Sequence, residues 1–135
     1  MNSILVCEDN PADVRLLEEA IRVHGLSCAL HVVRDGEEAQ NFLERLDAEG
    51  LPCPGAIIMD LHLPRIEGRE LIQSFREHGW CLGVPIVVLT SSISPKDEEE
   101  VCALGVHSYV RKPTNLEEFL EIGALLAEVL EARTN

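Results

Sequence analysis

Short apolar runs alternate with amphipathic stretches along the chain. The runs are ILVC (4–7), CALHVV (28–33), AIIM (56–59), VPIVVL (84–89) and HSYV (107–110). Each is short, rich in β-branched residues and mostly unalternating, the pattern of strands buried on both faces. The stretches between them carry helix signals. Asn10 then Pro11 reads as N-cap and first helical residue, with Asp13 in the first turn and Gly25 as the stop. Asp35 with Glu38 resembles a capping box, and Ala39, Phe42, Leu43 and Leu46 follow at helical spacing. A third helix is predicted over 67–78, ended by Gly79, and a fourth from Ser94-Pro95 to Gly105. A fifth starts at Thr114 or Asn115 and runs to about Ala132. The turn-rich DAEGLPCPG (47–55) reads as a connection. The pattern is (βα)5, and such alternation favours one parallel sheet with helices on both faces.

Composition narrows the function classes. The chain has 135 residues, enough for one compact domain. It carries 11 basic and 24 acidic residues, a net charge of −13. Such a surface repels phosphate backbones and anionic lipid, which argues against nucleic-acid or membrane partners. Five cysteines, at 7, 28, 53, 81 and 102, are odd in number and form no C-x-x-C pair. Neither a disulfide framework nor a zinc site is therefore expected. With no signal-peptide pattern at MNSILVCEDNPAD and no apolar stretch long enough to cross a bilayer, a reduced cytoplasmic protein is expected.

In open parallel α/β sheets, ligands bind beyond the carboxyl ends of the strands. Strand one ends in Glu8-Asp9, strand three in Asp60, strand four in Thr90-Ser91 and strand five in Arg111-Lys112-Pro113. Three carboxylates, a hydroxyl and an ammonium thus converge on one rim. Two like charges about 4 Å apart repel by roughly 4 kcal/mol at an effective dielectric near 20. A divalent cation relieves that repulsion, and an all-oxygen donor set suits Mg²⁺ or Mn²⁺. A self-contained salt-bridge network is the alternative, but it pairs Lys112 with one carboxylate and leaves two over.

The set Glu8-Asp9, Asp60, Thr90 and Lys112-Pro113 resembles the phosphoryl-accepting residues of two-component response-regulator receiver domains. The four sites lie 51, 30 and 22 residues apart, in order, each at a strand end. VCEDNPAD, DLHLPRIEGRE and KPTNLEEF look most similar to single-domain regulators that partner phytochrome-type sensor kinases. One departure is Glu67, where many relatives carry Asp before the Gly.

The resemblance implies a flavodoxin-like three-layer sandwich with strand order 2-1-3-4-5, residues 1–135 forming one receiver domain without an output domain. It implies that Asp60 takes a phosphoryl group from a sensor histidine kinase or phosphotransfer protein, a self-catalysed step rather than enzymatic turnover. Asp9, Asp60 and the main-chain carbonyl of His62 would bind Mg²⁺ directly, and Glu8 through water. Lys112 and Thr90 would hold phosphoryl oxygens, and Pro113 would follow a cis bond, although trans is the prior for an X-Pro bond. Tyr109 resembles the family's aromatic switch; the plainer alternative packs it with its hydroxyl at the surface. His62 stands where a variable residue would tune phosphoryl lifetime.

Signalling is expected to pass through a docking surface to a downstream protein. In the fifth helix, Leu116, Phe119, Leu120, Leu126, Ala127 and Leu130 read as the core stripe. Ile122, Leu125 and Val129 read as a second apolar face for a homodimer or partner. Rival readings are a flavodoxin-like electron carrier, a dehalogenase-type phosphatase and a receiver fold that signals without phosphate. EDNPAD would repel a flavin phosphate, and His62 replaces the second acid such a phosphatase needs.

Overall fold

A computed structural model describes residues 2–134, with side chains through 131. Five strands, β1 (Asn2–Cys7), β2 (Cys28–Val33), β3 (Ala56–Met59), β4 (Ile86–Thr90) and β5 (Ser108–Arg111), form one sheet of order β2-β1-β3-β4-β5. Every pairing is parallel. The helices are α1 (Pro11–Val23), α2 (Gly36–Glu49), α3 (Gly68–His78), α4 (Pro95–Cys102), α5 (Leu116–Leu120) and α6 (Ile122–Thr134).

Alternation along the strands divides the core into two layers. Leu5, Cys7, Ile57 and Met59 face one side and pack with Leu43, Leu46, Leu71, Ile72, Phe75 and Val101 from α2, α3 and α4. Ile4, Val6, Ile58, Val87 and Leu89 face the other and pack with Leu17 and Ile21 of α1 and with Phe119, Ile122 and Leu126. β3 and β4 are buried throughout, and β1 from Ile4 onward. The edge strands depart from the expected two-sided burial: β2 alternates and β5 is half-buried, because each has a neighbour on one side only.

The predicted helix starts are found. Asn10 Oδ1 accepts from Ala12 N–H at 2.9 Å and Asp35 Oδ1 from Glu38 N–H at 2.8 Å. Asn115 Oδ1 accepts from Glu118 N–H at 2.8 Å, so Asn115, not Thr114, caps α5. Where a single fifth helix was expected, the chain breaks at Glu121. The His24 ring nitrogen Nε2 lies 3.0 Å from the Leu120 carbonyl at that break. The acceptor is a carbonyl, so Nε2 carries the proton.

The break accompanies a correction to the docking face. Ile122 and Val129 lie in the core and Leu125 is half-buried against it, while the expected core residue Leu116 is exposed. Of the face expected for a homodimer, Ile122 and Val129 are buried and only part of Leu125 reaches the surface. Ile122, Leu126, Val129 and Leu130 stand at i, i+4, i+7 and i+8, one broad stripe.

A second correction concerns the cysteines. Cys53 and Cys81 form a disulfide with their Cα atoms 5.7 Å apart, within the reach of such a bond. The pairing of β3 with β4 brings together the loops that precede them, which spacing along the chain does not reveal. Cys7, Cys28 and Cys102 are free.

Candidate phosphoryl-transfer site

The site is a continuation of the sheet's hydrogen-bond ladder. Cys7 pairs with Met59 in register, so the residues after them, Glu8 and Asp60, leave the sheet side by side. Glu8 N–H donates to the Val33 carbonyl and Asp60 N–H to the Cys7 carbonyl, both at 3.0 Å. Thr90 pairs with Arg111, and Lys112 N–H donates to the Thr90 carbonyl at 2.7 Å. Backbone pairing thus fixes where each of these residues leaves the rim before any side chain acts.

The side chains then converge. Ligand oxygens of Glu8, Asp9 and Asp60 lie within 4.8 Å of one another. Glu8 and Asp60 are 2% and 4% exposed, whereas Asp9 is open to solvent. Lys112 Nζ sits 2.7 Å from Glu8 Oε1, 3.1 Å from Asp60 Oδ2 and 2.8 Å from Asp13 Oδ2. One ammonium therefore serves three carboxylates, with Asp9 outside its reach. The donor set is hard oxygen throughout, and its excess negative charge fits a divalent cation such as Mg²⁺ or Mn²⁺.

Burial pushes the Glu8 carboxyl up to about 7; the Lys112 hydrogen bond pulls the other way, and the charge of Asp60 adds to the rise. Burial alone would lower the Lys112 pKa, but its hydrogen bonds to Asp13 and Glu8 and the charge of Asp60 outweigh that and hold it above the ordinary lysine range. Lys112 therefore stays an ammonium at physiological pH.

Asp60 is held from both sides. Oδ1 accepts the His62 N–H at 3.1 Å and Oδ2 accepts from Lys112. The His62 side chain is exposed. The loop after Asp60 closes back through Gly68, whose N–H donates to the Leu61 carbonyl at 3.0 Å. A Cβ at Gly68 would stand 2.6 Å from the Asp60 carbonyl oxygen, so only glycine permits α3 to start this close to the nucleophile candidate.

Thr90 is fully buried, and its Oγ1 accepts the Ser92 N–H at 3.1 Å, leaving its O–H to donate. The β4–α4 loop is tied internally: Ser92 Oγ donates to Asp97 Oδ2 at 2.7 Å, and Asp97 N–H donates to the N-cap Ser94 Oγ at 3.3 Å. Tyr109 is half-buried and its hydroxyl is buried without a hydrogen-bond partner among the described residues, contrary to the reading that places it at the surface. Burial, then the nearby Asp97 charge, raises its pKa; Ser92, which would offset part of this, donates to Asp97 instead.

The expected residues Glu8, Asp9, Asp60 and Lys112 meet, with Thr90 at the end of the adjoining strand. The expected cis bond before Pro113 is not found; every peptide bond among the described residues is trans. Trans is the lower-energy form, and with it Lys112 already reaches the carboxylates. The sequence pattern marks Asp13 only as a favourable first-turn acid and does not bring it to the rim. Its signal was its place on the first turn of the helix that leaves the β1 tip, which returns its side chain over the rim.

Comparison with known proteins agrees. The family described as the response regulator receiver domain matches residues 4–123. The chain is 33% identical over 120 residues to response regulator Rcp1 of Synechocystis sp. (strain ATCC 27184 / PCC 6803 / Kazusa), spanning 88% of this chain and 82% of that protein. It superposes on the crystal structure of the phosphorylated cyanobacterial phytochrome response regulator RcpA with a TM-score of 0.85 at 31% identity, covering 98% of this chain and 95% of that one. The Mn²⁺-bound form of Rcp1 gives a TM-score of 0.84 at 31% identity, covering 95% and 93%.

Proposed function

The chain belongs to the response regulator receiver domain family, and from that premise we propose that it accepts a phosphoryl group on Asp60 from a sensor histidine kinase, or from a phosphotransfer protein. The observation that carries the reading is the convergence of Asp60 with Glu8, Asp9 and Lys112 at the end of β3. In the transfer, an Asp60 carboxylate oxygen attacks phosphorus as the bond from phosphorus to the donor histidine nitrogen breaks, giving an acyl phosphate. Such reactions ask the protein mainly for positioning and charge neutralisation.

The chain's own residues supply both. The His62 N–H on Oδ1 fixes the Asp60 carboxylate, and Lys112 exchanges its contact with Oδ2 for a phosphoryl oxygen. Thr90 donates its free O–H to another oxygen. Asp9, Asp60 and the His62 carbonyl would hold Mg²⁺, or Mn²⁺ as in the Rcp1 structure, with Glu8 acting through water. The bound cation would neutralise phosphoryl charge. His62, exposed beside the acceptor, would tune the lifetime of the acyl phosphate.

Movement of Thr90 toward the phosphoryl group would draw on the β4–α4 loop and favour an inward Tyr109, so α4, β5 and the α5–α6 segment form the switching surface. Residues 1–135 act in this reading as one receiver domain that signals through contact with a downstream protein. The match to a phytochrome response regulator points to a phytochrome-type kinase as donor. A donor kinase that spends ATP would put the protein in the cytoplasm, where Cys53–Cys81 would face a reducing thiol pool.

Incubation with Mg²⁺ and a small phosphodonor tests the reading. Intact mass is expected to rise by about 80 Da, the mass of HPO₃. The adduct should be base-labile, need Mg²⁺ and be absent in Asp60→Asn. A wild-type protein that gains no mass refutes it.

A further inference from the structure

Lys112 is held by one carboxylate more than the phosphoryl chemistry uses. An ammonium has three N–H donors, and here Glu8, Asp60 and Asp13 receive them. Glu8 and Asp60 belong to the cation-binding cluster; Asp13 does not. Asp13 sits on the first turn of α1, 17% exposed, and has no other ion-pair partner among the described residues. A cation and then a phosphoryl group must draw Lys112 off Glu8 and Asp60. The Asp13 contact is the one that can persist through both events.

We propose that Asp13 is a positioning residue: its carboxylate anchors the Lys112 ammonium at the rim, so that Lys112 yields Glu8 and Asp60 to the cation and turns its freed N–H groups to the incoming phosphoryl oxygens. The inference rests on the phosphoryl-acceptor reading and assigns a residue of α1 to it. A field effect of Asp13 alone predicts something different. Removing an anion beside the site would ease the approach of an anionic donor, lowering the donor concentration for half-saturation without slowing the maximum rate. Anchoring predicts a slower maximum rate, and only while Lys112 is present.

The experiment is a double-mutant cycle with Asp13→Asn and Lys112→Met, following the mass gain from a small phosphodonor at saturating Mg²⁺. Asp13→Asn is expected to cut the maximum rate about 5- to 10-fold, of the order the net contribution of one intramolecular hydrogen bond carries. Asp13→Glu should restore part of it. In the Lys112→Met background the same change should cost nothing further. Calorimetric titration with Mg²⁺ alone gives a second readout, since Asp13→Asn should weaken binding several-fold with Lys112 present and by less without it. Asp13→Ser serves as a second variant, and all are compared at matched thermal stability.

An unchanged or faster maximum rate in Asp13→Asn overturns the inference, as does an equal loss in the Lys112→Met background. A wild type that takes no phosphoryl group overturns the parent reading together with this one. A phosphorylated wild type matched by Asp13→Asn overturns this one alone.

Discussion

Glu8 shows what a strand-tip carboxylate undergoes once the fold buries it. Its folded pKa of about 7 stands above the ordinary value of 4.5, chiefly through burial. The sign of the consequence follows from linkage: the folded state binds the extra proton, so Glu8's contribution is fully present below 4.5 and is lost as pH rises through about 7. Without a cation this residue makes the protein less stable with rising pH over that window. Bound Mg²⁺ would reverse the trend, because Glu8, proposed to hold the cation through water, must be ionised to do so and binding would release its proton. The gap between Tm with and without millimolar Mg²⁺ should therefore widen as pH climbs toward about 7 and level off above it. Glu8→Gln should flatten that dependence, and a wild-type gap that narrows with pH would contradict it. At this scale most of the site was legible in the sequence, because Glu8, Asp9, Asp60 and Lys112 each follow a recognisable strand. Asp13 was not, since no periodicity relates position 13 to position 112; only the return of α1 over the rim does.

The elements were legible where their ends carry caps and their faces are sharply divided. Asn10, Asp35, Ser94 and Asn115 each cap a helix through a side-chain oxygen. The last segment failed because its residues are apolar nearly all round, so spacing alone selects no unique face. A break at Glu121 then shifts α6 relative to α5, and the stripe expected outside goes in. The contact at that break is testable. The Leu120 carbonyl accepts from His24, and Gly123 leaves room for the imidazole, since a Cβ there would lie 2.2 Å from His24 Cδ2. His24→Ala strips a part-buried carbonyl of its donor and should cost about 1–3 kcal/mol in urea unfolding, with the slope unchanged. Gly123→Ala should destabilise as well, because the Ala20 carbonyl oxygen, 2.6 Å from that Cβ, belongs to backbone and cannot swing aside. Wild-type stability in His24→Ala would mean the break stands without this contact.

For the molecule as a whole, the parallel sheet separates two chemistries along one axis. Every strand points its carboxyl end at the acidic rim, and the disulfide lies at the opposite end, where Cys53 precedes β3 and Cys81 precedes β4. The alternating pattern made the layers and the rim legible, and the resemblance added the strand order. Neither reached the disulfide, since its partners are 28 residues apart and meet only through β3–β4 pairing. The bond closes a loop that contains β3, Asp60 and α3. Chain entropy for a loop of that length corresponds to about 3–4 kcal/mol of stabilisation relative to the reduced chain. Non-reducing intact mass should be lower by about 2 Da, the two thiol hydrogens, than mass after reduction. Reduction, or Cys53→Ser, should lower the denaturant midpoint by the corresponding amount. Because Asp60 takes its position from ladder bonds to Cys7 and from Lys112, phosphorylation of the folded, reduced protein should proceed at the oxidised rate. A rate that fell with reduction while the fold persisted would mean that the two ends of the sheet are coupled through α3, and the separation argued from topology would not hold.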